Sequence, residues 1–410
     1  MGAAEGLSAQ QPAAENALAV ARSGHMDSAL ALLATARIAD PDDADLRLAE
    51  ARILSWAGRR RDAIARYDSL IRKNPENADA LIGLGYVYHW QGREEAADRQ
   101  VAAALALDST NTDALELRHA IRRTARGVVE ASANWSNDSD RNTSFWQTLS
   151  LSAPLARGLR LLAGVGLLEA SDPDRNATRF GGEAGLALWR GAFRASVLAG
   201  ARRLDPEIGA ARTEGTYRGG VSVRPSENIG IAVGYARYPY DEIASLFERN
   251  LTIESLEGGF DARFTRRFLV TGGGGALWLS DGNRRTEGHA AVTQDIGRYF
   301  QVGASGRALG YRQPGVGYFS PDRFHLLEGT AAVRVAGSRW DARLGGGLGG
   351  QQIGRGGDTQ TEWHIDARVG RNWGDGNRIE GFGGVTNSAV SSTTGAFRYR
   401  TAGVVLRVGI

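Results

Sequence analysis

The stretch "TEWHIDARVG", residues 361–370, alternates strictly between apolar or uncharged and ionisable side chains. One set comprises Thr361, Trp363, Ile365, Ala367 and Val369, and the other comprises Glu362, His364, Asp366 and Arg368. A period of two predicts a β-strand with one apolar face and one wet face. The same pattern recurs in "WDARLGG" (340–346) and "RTEGTYRGGVSVR" (212–224).

Two architectures use such strands. A soluble sandwich buries its apolar face against a second sheet. A transmembrane barrel turns that face to lipid and lines an aqueous lumen with the charged face. Alternating segments recur through residues 127–410, each close to the length of about ten residues that a tilted strand needs to cross a bilayer. Their connections alternate short and long, which favours the antiparallel transmembrane barrel.

We count about 16 strands, an even number that places both ends of the barrel on the short-turn, periplasmic side. All seven prolines after residue 127 fall in predicted connections, as expected for a residue that cannot donate to a ladder. The eighth and twelfth strands, near 250–262 and 323–334, alternate poorly, so we expect bulges or shifted boundaries there.

Two of the long connections, 238–249 and 309–322, are candidates for a gate that folds into the lumen. The residues expected at this extracellular gate are Tyr238, Tyr240, Tyr318, Phe319 and Asp322. If either loop plugs the pore, its deletion raises ion conductance.

Residues 1–126 follow a different period. "ILSWAGRRRDA" (53–63) and "VYHWQGREEAA" (87–97) repeat Trp, Gly, Arg and Ala at a spacing of 34 residues. This period predicts tetratricopeptide repeats, each made of two helices. We expect about three repeats over roughly residues 10–109 and a capping helix over 110–126. The small residues expected at the helix crossings are Ala29, Ala63 and Ala97.

Trp56 and Trp90 fall at the last turn of a first helix, near the predicted concave face. One interpretation is that both cap the packing between helices. The other is a stacking platform for a peptide or a sugar, which Tyr86 and His89 extend.

Composition indicates that the chain has two parts, and it argues against nucleic acid as a partner. Only seven of the 55 glycines precede residue 127. The net charge of +3 leaves no basic footprint for nucleic acid. No cysteine is present, and no apolar run is long enough for a spanning helix. No signal peptide is visible after Met1, so we expect that one has been removed or replaced.

The predicted lumen face carries both signs of charge. Its candidate pore-lining residues are Arg194, Glu214, Arg218, Arg307, Glu362, His364, Asp366, Arg368, Arg378 and Glu380. Opposite charges on neighbouring strands can simply pair and stiffen the wall. As a channel lining they give no single-sign field, which suits a neutral or zwitterionic cargo better than a polyanion.

A repeat array before a Gly-rich barrel resembles the outer-membrane exopolysaccharide exporters, such as the cellulose synthase operon protein C and the poly-N-acetylglucosamine porin. The "SWAGR" and "HWQGR" turns also look like those of YaiO-type outer-membrane proteins. "GYFSPDRF" (317–324) is similar to the Tyr-Phe-Ser-Pro stretch that leads into a late strand of the cellulose exporters, although its aromatics can also simply fold onto the rim.

The resemblance implies an outer-membrane channel for a polysaccharide chain. Its periplasmic repeats would guide the polymer or dock periplasmic and inner-membrane synthase components. The alternative is a general diffusion porin or surface receptor without polymer cargo. We expect neither an enzyme nor a cofactor or metal site, because His289, His325 and His364 lie on separate predicted strands and no catalytic grouping is apparent.

Overall fold

A computed structural model describes residues 5–226, 228–374 and 376–410. Residues 1–4, 227 and 375, which belong to the two predicted domains, lie outside the described part. The chain divides into two compact units, one ending at Ala125 and the other beginning at Arg126.

The first unit is helical. Helix pairs α1–α2, α3–α4 and α5–α6 form the three repeats, and α7 follows as the capping helix. The helices are α1 (Glu5–Arg22), α2 (Met26–Ala39), α3 (Ala44–Trp56), α4 (Arg60–Lys73), α5 (Ala78–Trp90), α6 (Glu94–Leu107) and α7 (Thr112–Ala125).

Residues that recur at the repeat period perform the same structural task in each repeat. Gly58 and Gly92 have φ values of 78° and 66° in the turn between paired helices, a conformation that favours glycine. Asp43 and Asn77 cap α3 and α5, with their side-chain oxygens accepting backbone N–H bonds. The predicted crossing residues Ala29, Ala63 and Ala97 are fully buried, so the array has a continuous core.

The second unit is a closed antiparallel barrel of 16 strands, as predicted. The strands are β1 (Val128–Asp138), β2 (Thr143–Ala156), β3 (Leu159–Ser171), β4 (Asn176–Arg190), β5 (Phe193–Pro206), β6 (Arg212–Ser226), β7 (Ile229–Pro239), β8 (Thr252–Arg263), β9 (Phe268–Leu279), β10 (Arg284–Ile296), β11 (Phe300–Tyr311), β12 (Phe324–Ala336), β13 (Trp340–Ile353), β14 (Thr359–Trp373), β15 (Asn377–Thr386) and β16 (Tyr399–Gly409).

Closure removes the unpaired sheet edges. The first and last strands pair from Val128 with Gly409 to Asp138 with Tyr399. The alternating pattern alone was compatible with either a sandwich or a barrel, and the structure is a closed barrel. Among the described helices, none is both long and apolar enough to cross a membrane.

The two faces of each strand differ as the alternation predicts. Leu344 and Leu348 of β13 and Ile365 and Val369 of β14 are exposed on the outside of the barrel. Glu362 lies on the opposite, inward face of β14 and is buried. The apolar outer belt is the surface that a transmembrane barrel presents to lipid.

One expectation about irregular strands is wrong, and for the eighth and twelfth strands the alternative of shifted boundaries is confirmed. Four prolines lie within strands rather than connections, because the strands run further than predicted; they are Pro154, Pro206, Pro225 and Pro239. Pro154 and Pro225 fall where the pairing register shifts, so the missing N–H breaks no regular ladder. Strands β8 and β12 pair without any register shift, and only their boundaries move.

Connections at the two ends of the barrel differ in length. The end that holds Val128 and Gly409 has tight turns, such as residues 157–158 and 191–192. Three long loops lie at the opposite end, which we call the loop end. They are loop A (240–251), loop B (312–323) and loop C (387–398). Loops A and B correspond to the two predicted gate candidates.

Candidate functional site in the barrel lumen

Loop A folds inward. Its short helix α8 (Ala244–Phe247) contacts β4 and β5, two strands that the loop does not connect. The Phe247 side chain is fully buried in a cluster with wall residues of β3, β4 and β5, namely Leu168, Ala170, Ala177 and Leu204. Apolar inward residues at this end of the wall therefore hold the loop by burial of apolar surface.

An ionic contact holds the same loop. Asp241 accepts a hydrogen bond from Arg179 of β4, with 3.0 Å between Nη1 and Oδ1. Arg202 of β5 also approaches Asp241, with Nη1 3.4 Å from each carboxylate oxygen. Arg212 donates to the backbone carbonyl of Phe247. Because Arg179 and Asp241 are both buried, each charge depends on the other for compensation.

All three loops contribute to one buried apolar cluster at the loop end, which we call the lumen cluster. Tyr240, Ile243 and Leu246 come from loop A, Tyr318 from loop B and Ala389 from loop C. The remaining buried members lie at or beside the strand ends: Leu251, Ile253, Leu277, Leu279, Leu309, Tyr311 and Phe324. The lumen cluster joins the loops to the wall.

Tyr318 is the polar anchor of loop B. Its hydroxyl donates to Asp281 Oδ2 at 2.9 Å and accepts from Asn283 Nδ2 at 2.8 Å. Its ring lies 5.6 Å from that of Tyr240 and 5.7 Å from that of Tyr311. Burial raises the pKa of both Tyr240 and Tyr318, so both phenols are neutral at physiological pH.

Loop C connects the other two loops. The carbonyl of Thr393 accepts from the N–H of Phe319 in loop B at 2.7 Å. The Thr393 hydroxyl donates to Glu242 Oε2 in loop A at 2.6 Å. Ser392 also donates to Asp138 Oδ2 at the end of β1 at 2.7 Å. These bonds make the loops a single hydrogen-bonded assembly across the loop end.

A cavity of about 580 Å³ lies between the loops and the inner wall. Its lining combines aromatic and charged side chains, including Trp146, Tyr238, Glu242, Arg285, Arg307 and Phe319. Aromatic faces beside charged hydrogen-bonding groups suit a polyhydroxylated ligand, because sugar rings offer C–H faces and hydroxyls together.

The structure places all ten predicted pore-lining residues on the inward face, as the strand registers show. Most pair with an opposite charge on the adjacent strand or on the next strand beyond it. Arg307 lies 2.8 Å from Glu287, Arg368 lies 3.2 Å from Glu380, and Arg378 lies 2.6 Å from Asp341. The pairs Arg218–Glu183 and Arg343–Asp366 complete the pattern.

The remaining predicted lining residues have other neighbours. Glu214 lies 3.6 Å from Arg212. The guanidinium of Arg194 lies 5.3 Å from the ring centre of Trp189. His364 faces Glu328 of β12, with 2.9 Å between Nδ1 and Oε2.

Four of the five predicted gate residues meet at the loop end. Tyr240 and Tyr318 belong to the lumen cluster, and Tyr238 and Phe319 pack against it. Asp322 lies apart from this group. It is exposed, and its carboxylate pairs with Arg355 at 3.2 Å.

In the repeat unit, Trp56 and Trp90 are 37% and 44% exposed. The ring of Trp90 lies 5.7 Å from that of Tyr86, and the two form a partly exposed aromatic pair. His89 is occupied by a local contact, since its Nδ1 lies 2.7 Å from Glu94 Oε2.

Sequence reasoning missed the ionic anchor Arg179–Asp241–Arg202 and the part played by loop C. Asp241 stands in the apolar-rich stretch "YPYDEIASLF" (238–247), which is the one local signal that could have singled it out. The expectation of no metal-ligand grouping rested on spacing along the chain. The fold brings Glu328, Glu362 and His364 together from two strands.

Comparisons with known proteins agree with this architecture. Residues 20–74 and 57–121 match the tetratricopeptide repeat family. A comparison with curated proteins finds no match. Among solved structures, a bacterial polysaccharide outer membrane secretin is 12% identical, with a TM-score of 0.58 over 70% of this chain and 99% of that chain.

Two further structures are more distant. OpdO from Pseudomonas aeruginosa is 9% identical, with a TM-score of 0.40 over 70% of this chain and 95% of that one. A tetratricopeptide repeat protein from Parabacteroides merdae is 18% identical, with a TM-score of 0.25 over 28% of this chain and 44% of that one. The chain combines tetratricopeptide repeats, matched within residues 20–121, with a 16-stranded antiparallel barrel. Its closed barrel and apolar belt fit an outer-membrane channel.

Proposed function

We propose that the barrel is an outer-membrane channel that exports an exopolysaccharide, a cellulose-like or similar neutral or weakly charged polymer. The tight-turn end faces the periplasm, and the repeats lie there, where they guide the polymer or dock synthase components. The protein acts as a transporter and not as an enzyme.

The observation that carries this proposal is the charge pattern of the inner wall. Inward arginines pair with inward carboxylates, as in Arg368–Glu380 and Arg378–Asp341. Paired charges leave no strong field of one sign, so the lining neither traps a polyanion nor repels a neutral chain. The barrel's likeness to a polysaccharide outer membrane secretin supports the same cargo class.

In this proposal, the loop end keeps the channel closed between export events. Loops A, B and C share the lumen cluster and hydrogen-bond to one another. A 16-stranded barrel encloses an aqueous channel when nothing plugs it. Closure by the loops protects the cell from solute leakage, and export requires that the loops move outward.

The repeat unit supplies the periplasmic contacts in this proposal. Repeat arrays hold partners on extended surfaces rather than catalyse reactions. Trp56 and the Tyr86–Trp90 pair offer exposed aromatic surface for a sugar or a peptide.

The cavity beneath the loops favours a second candidate, a surface receptor that takes up a small ligand without polymer cargo. Its volume of about 580 Å³ is in the range of small-molecule sites. A receptor binds a mono- or oligosaccharide at the loop end and has no effect on polymer release.

Deletion of the protein, followed by measurement of secreted polysaccharide, separates these candidates. Export predicts that secreted polymer falls several-fold and that it accumulates in the periplasm. Complementation with the full chain restores release. A strain that secretes polymer normally but loses uptake of a small sugar contradicts export and supports the receptor.

A further inference from the structure

Three potential metal ligands converge on the inner wall near the loop end. Glu328 comes from β12, and Glu362 and His364 come from β14. One ligand atom from each lies within 4.8 Å of the other two. The His364 Nδ1 is already 2.9 Å from Glu328 Oε2. The three residues together offer two carboxylate oxygens and one imidazole nitrogen.

Glu362 is the least compensated charge of this group. Glu362 is only 1% exposed, and its Oε2 has no hydrogen-bond partner. Its other oxygen accepts only a long bond of 3.3 Å from Thr386. Within the described part of the chain, neither Glu328 nor Glu362 forms an ion pair with arginine or lysine. Burial of a carboxylate without a counter-charge costs free energy, and a bound cation would offset that cost.

Strand β13 lies between the ligands and has glycines, without side chains, at the positions beside them. β13 separates β12 from β14 and carries Gly347 and Gly349 on the same inward face. A Cβ at Gly347 would lie 2.4 Å from His364 Cε1 and 2.5 Å from Glu328 Oε2. Any larger residue there would keep the ligands apart. The glycines thus let side chains from two non-adjacent strands meet.

We propose that Glu328, Glu362 and His364 bind a divalent transition-metal ion of the zinc class. Mixed oxygen and imidazole ligands suit Zn²⁺ better than Mg²⁺ or Ca²⁺, which prefer oxygen alone. Three protein ligands and one open position are a common arrangement for Zn²⁺. A tetrahedral ion with bonds of about 2.0–2.1 Å needs ligand atoms about 3.3 Å apart. The ligand atoms lie within 4.8 Å of one another, so binding requires that the more distant ones approach by up to about 1.5 Å.

Neighbouring groups already orient the ligands. Ser305 donates to the outer oxygen of Glu328, with 2.6 Å between Oγ and Oε1. Asp366 places Oδ1 4.0 Å from His364 Nε2, on the side away from Glu328. This distance is too long for a hydrogen bond, and a shift of Asp366 by about 1 Å would bring its carboxylate into place to fix the tautomer of a metal-binding imidazole. Thr386 connects Glu362 to the end of β15, from which loop C begins.

The test is zinc binding to the full chain, purified in detergent without a polyhistidine tag and stripped with a chelator. Isothermal titration is expected to show one Zn²⁺ per chain and a thermal shift to higher melting temperature. Glu362→Gln and His364→Asn are each expected to weaken binding at least tenfold. Glu287→Gln, which alters an inward carboxylate paired with Arg307 elsewhere on the wall, is the matched control and retains wild-type binding.

The competing explanation is a proton shared between Glu328 and Glu362. In that case the stripped protein binds no Zn²⁺, and Glu362→Gln leaves its melting temperature unchanged or raises it. That outcome overturns the proposal, as does equal zinc binding by wild type and both variants. If Glu362→Gln fails to fold, Gly347→Ala removes the ligand space without changing a charge, and the same loss of zinc binding is expected.

Discussion

Arg179 and Asp241 are 62 residues apart and form a buried ion pair, with side chains 8% and 4% exposed. The pair joins the wall strand β4 to loop A, which leaves the wall three strands further along the chain. The position of loop A in the lumen therefore depends on a specific buried ion pair.

Asp241→Asn removes the charge and keeps the shape. Arg179 then lies buried without its counter-charge, a loss of about 3–5 kcal/mol in comparable pairs. We expect loop A to leave the lumen and single-channel conductance in planar bilayers to rise. Glu183→Gln, which alters an inward pair with Arg218 outside the loops, is the matched control. Identical conductance of Asp241→Asn and wild type would show that the pair does not hold the loop.

Phe247→Ala tests the apolar half of the same anchor. Phe247 is fully buried against Leu168 and Leu204, and a buried Phe→Ala substitution costs about 3–5 kcal/mol. Cells with this variant are expected to become sensitive to large antibiotics that wild-type cells exclude. Ile208→Ala, at an exposed position in the connection between β5 and β6, is expected to leave sensitivity unchanged. Equal sensitivity of the two variants would contradict a plug role for α8.

Tyr318→Phe removes one hydroxyl from loop B. Asp281 and Asn283 lose a buried hydrogen-bond partner, which costs about 1–3 kcal/mol. We expect more frequent opening events in single-channel recordings, with less effect than Asp241→Asn. Tyr299→Phe changes an exposed tyrosine at the opposite end of the barrel and serves as the control. Unaltered opening in Tyr318→Phe would mean that loop B is held by its apolar contacts alone.

Gly83→Ala addresses the repeat unit. A Cβ at Gly83 would lie 2.5 Å from the ring of Tyr67, which is fully buried. Overpacking of this kind costs about 1–3 kcal/mol. The helical transition, followed by circular dichroism of the full chain, is expected at a lower temperature. Ala103→Ser, at an exposed position of α6, is expected to melt like wild type.

Trp90→Ala distinguishes the two roles of the exposed tryptophans. A stacking platform predicts that secreted polysaccharide falls several-fold while the amount of folded protein stays constant. Leu107→Ala is the matched control, because Leu107 is also 44% exposed but has no aromatic ring to stack on a ligand. A lower helical melting temperature with normal secretion would assign Trp90 to packing alone.

Periodicity alone predicted the architecture. The 34-residue recurrence of Trp56 and Trp90 marks equivalent helix ends, because helix pairs repeat with the chain. The alternation in "TEWHIDARVG" assigns Glu362, His364 and Asp366 to the inward face, because successive side chains of a strand point to opposite sides. Turn positions then give the strand count. These are local properties, so they can be derived without coordinates.

The contacts that form the sites required the tertiary structure. Asp241 meets Arg179 only because loop A turns back into a closed barrel. Glu328 meets Glu362 only because the register of β12, β13 and β14 aligns them across Gly349. Neither register nor loop direction is encoded in local periodicity, since both depend on which distant surfaces pack together. The order of residues determines which helix or strand a residue belongs to and which face of it the side chain occupies. Closure of the barrel determines which distant residues that side chain contacts.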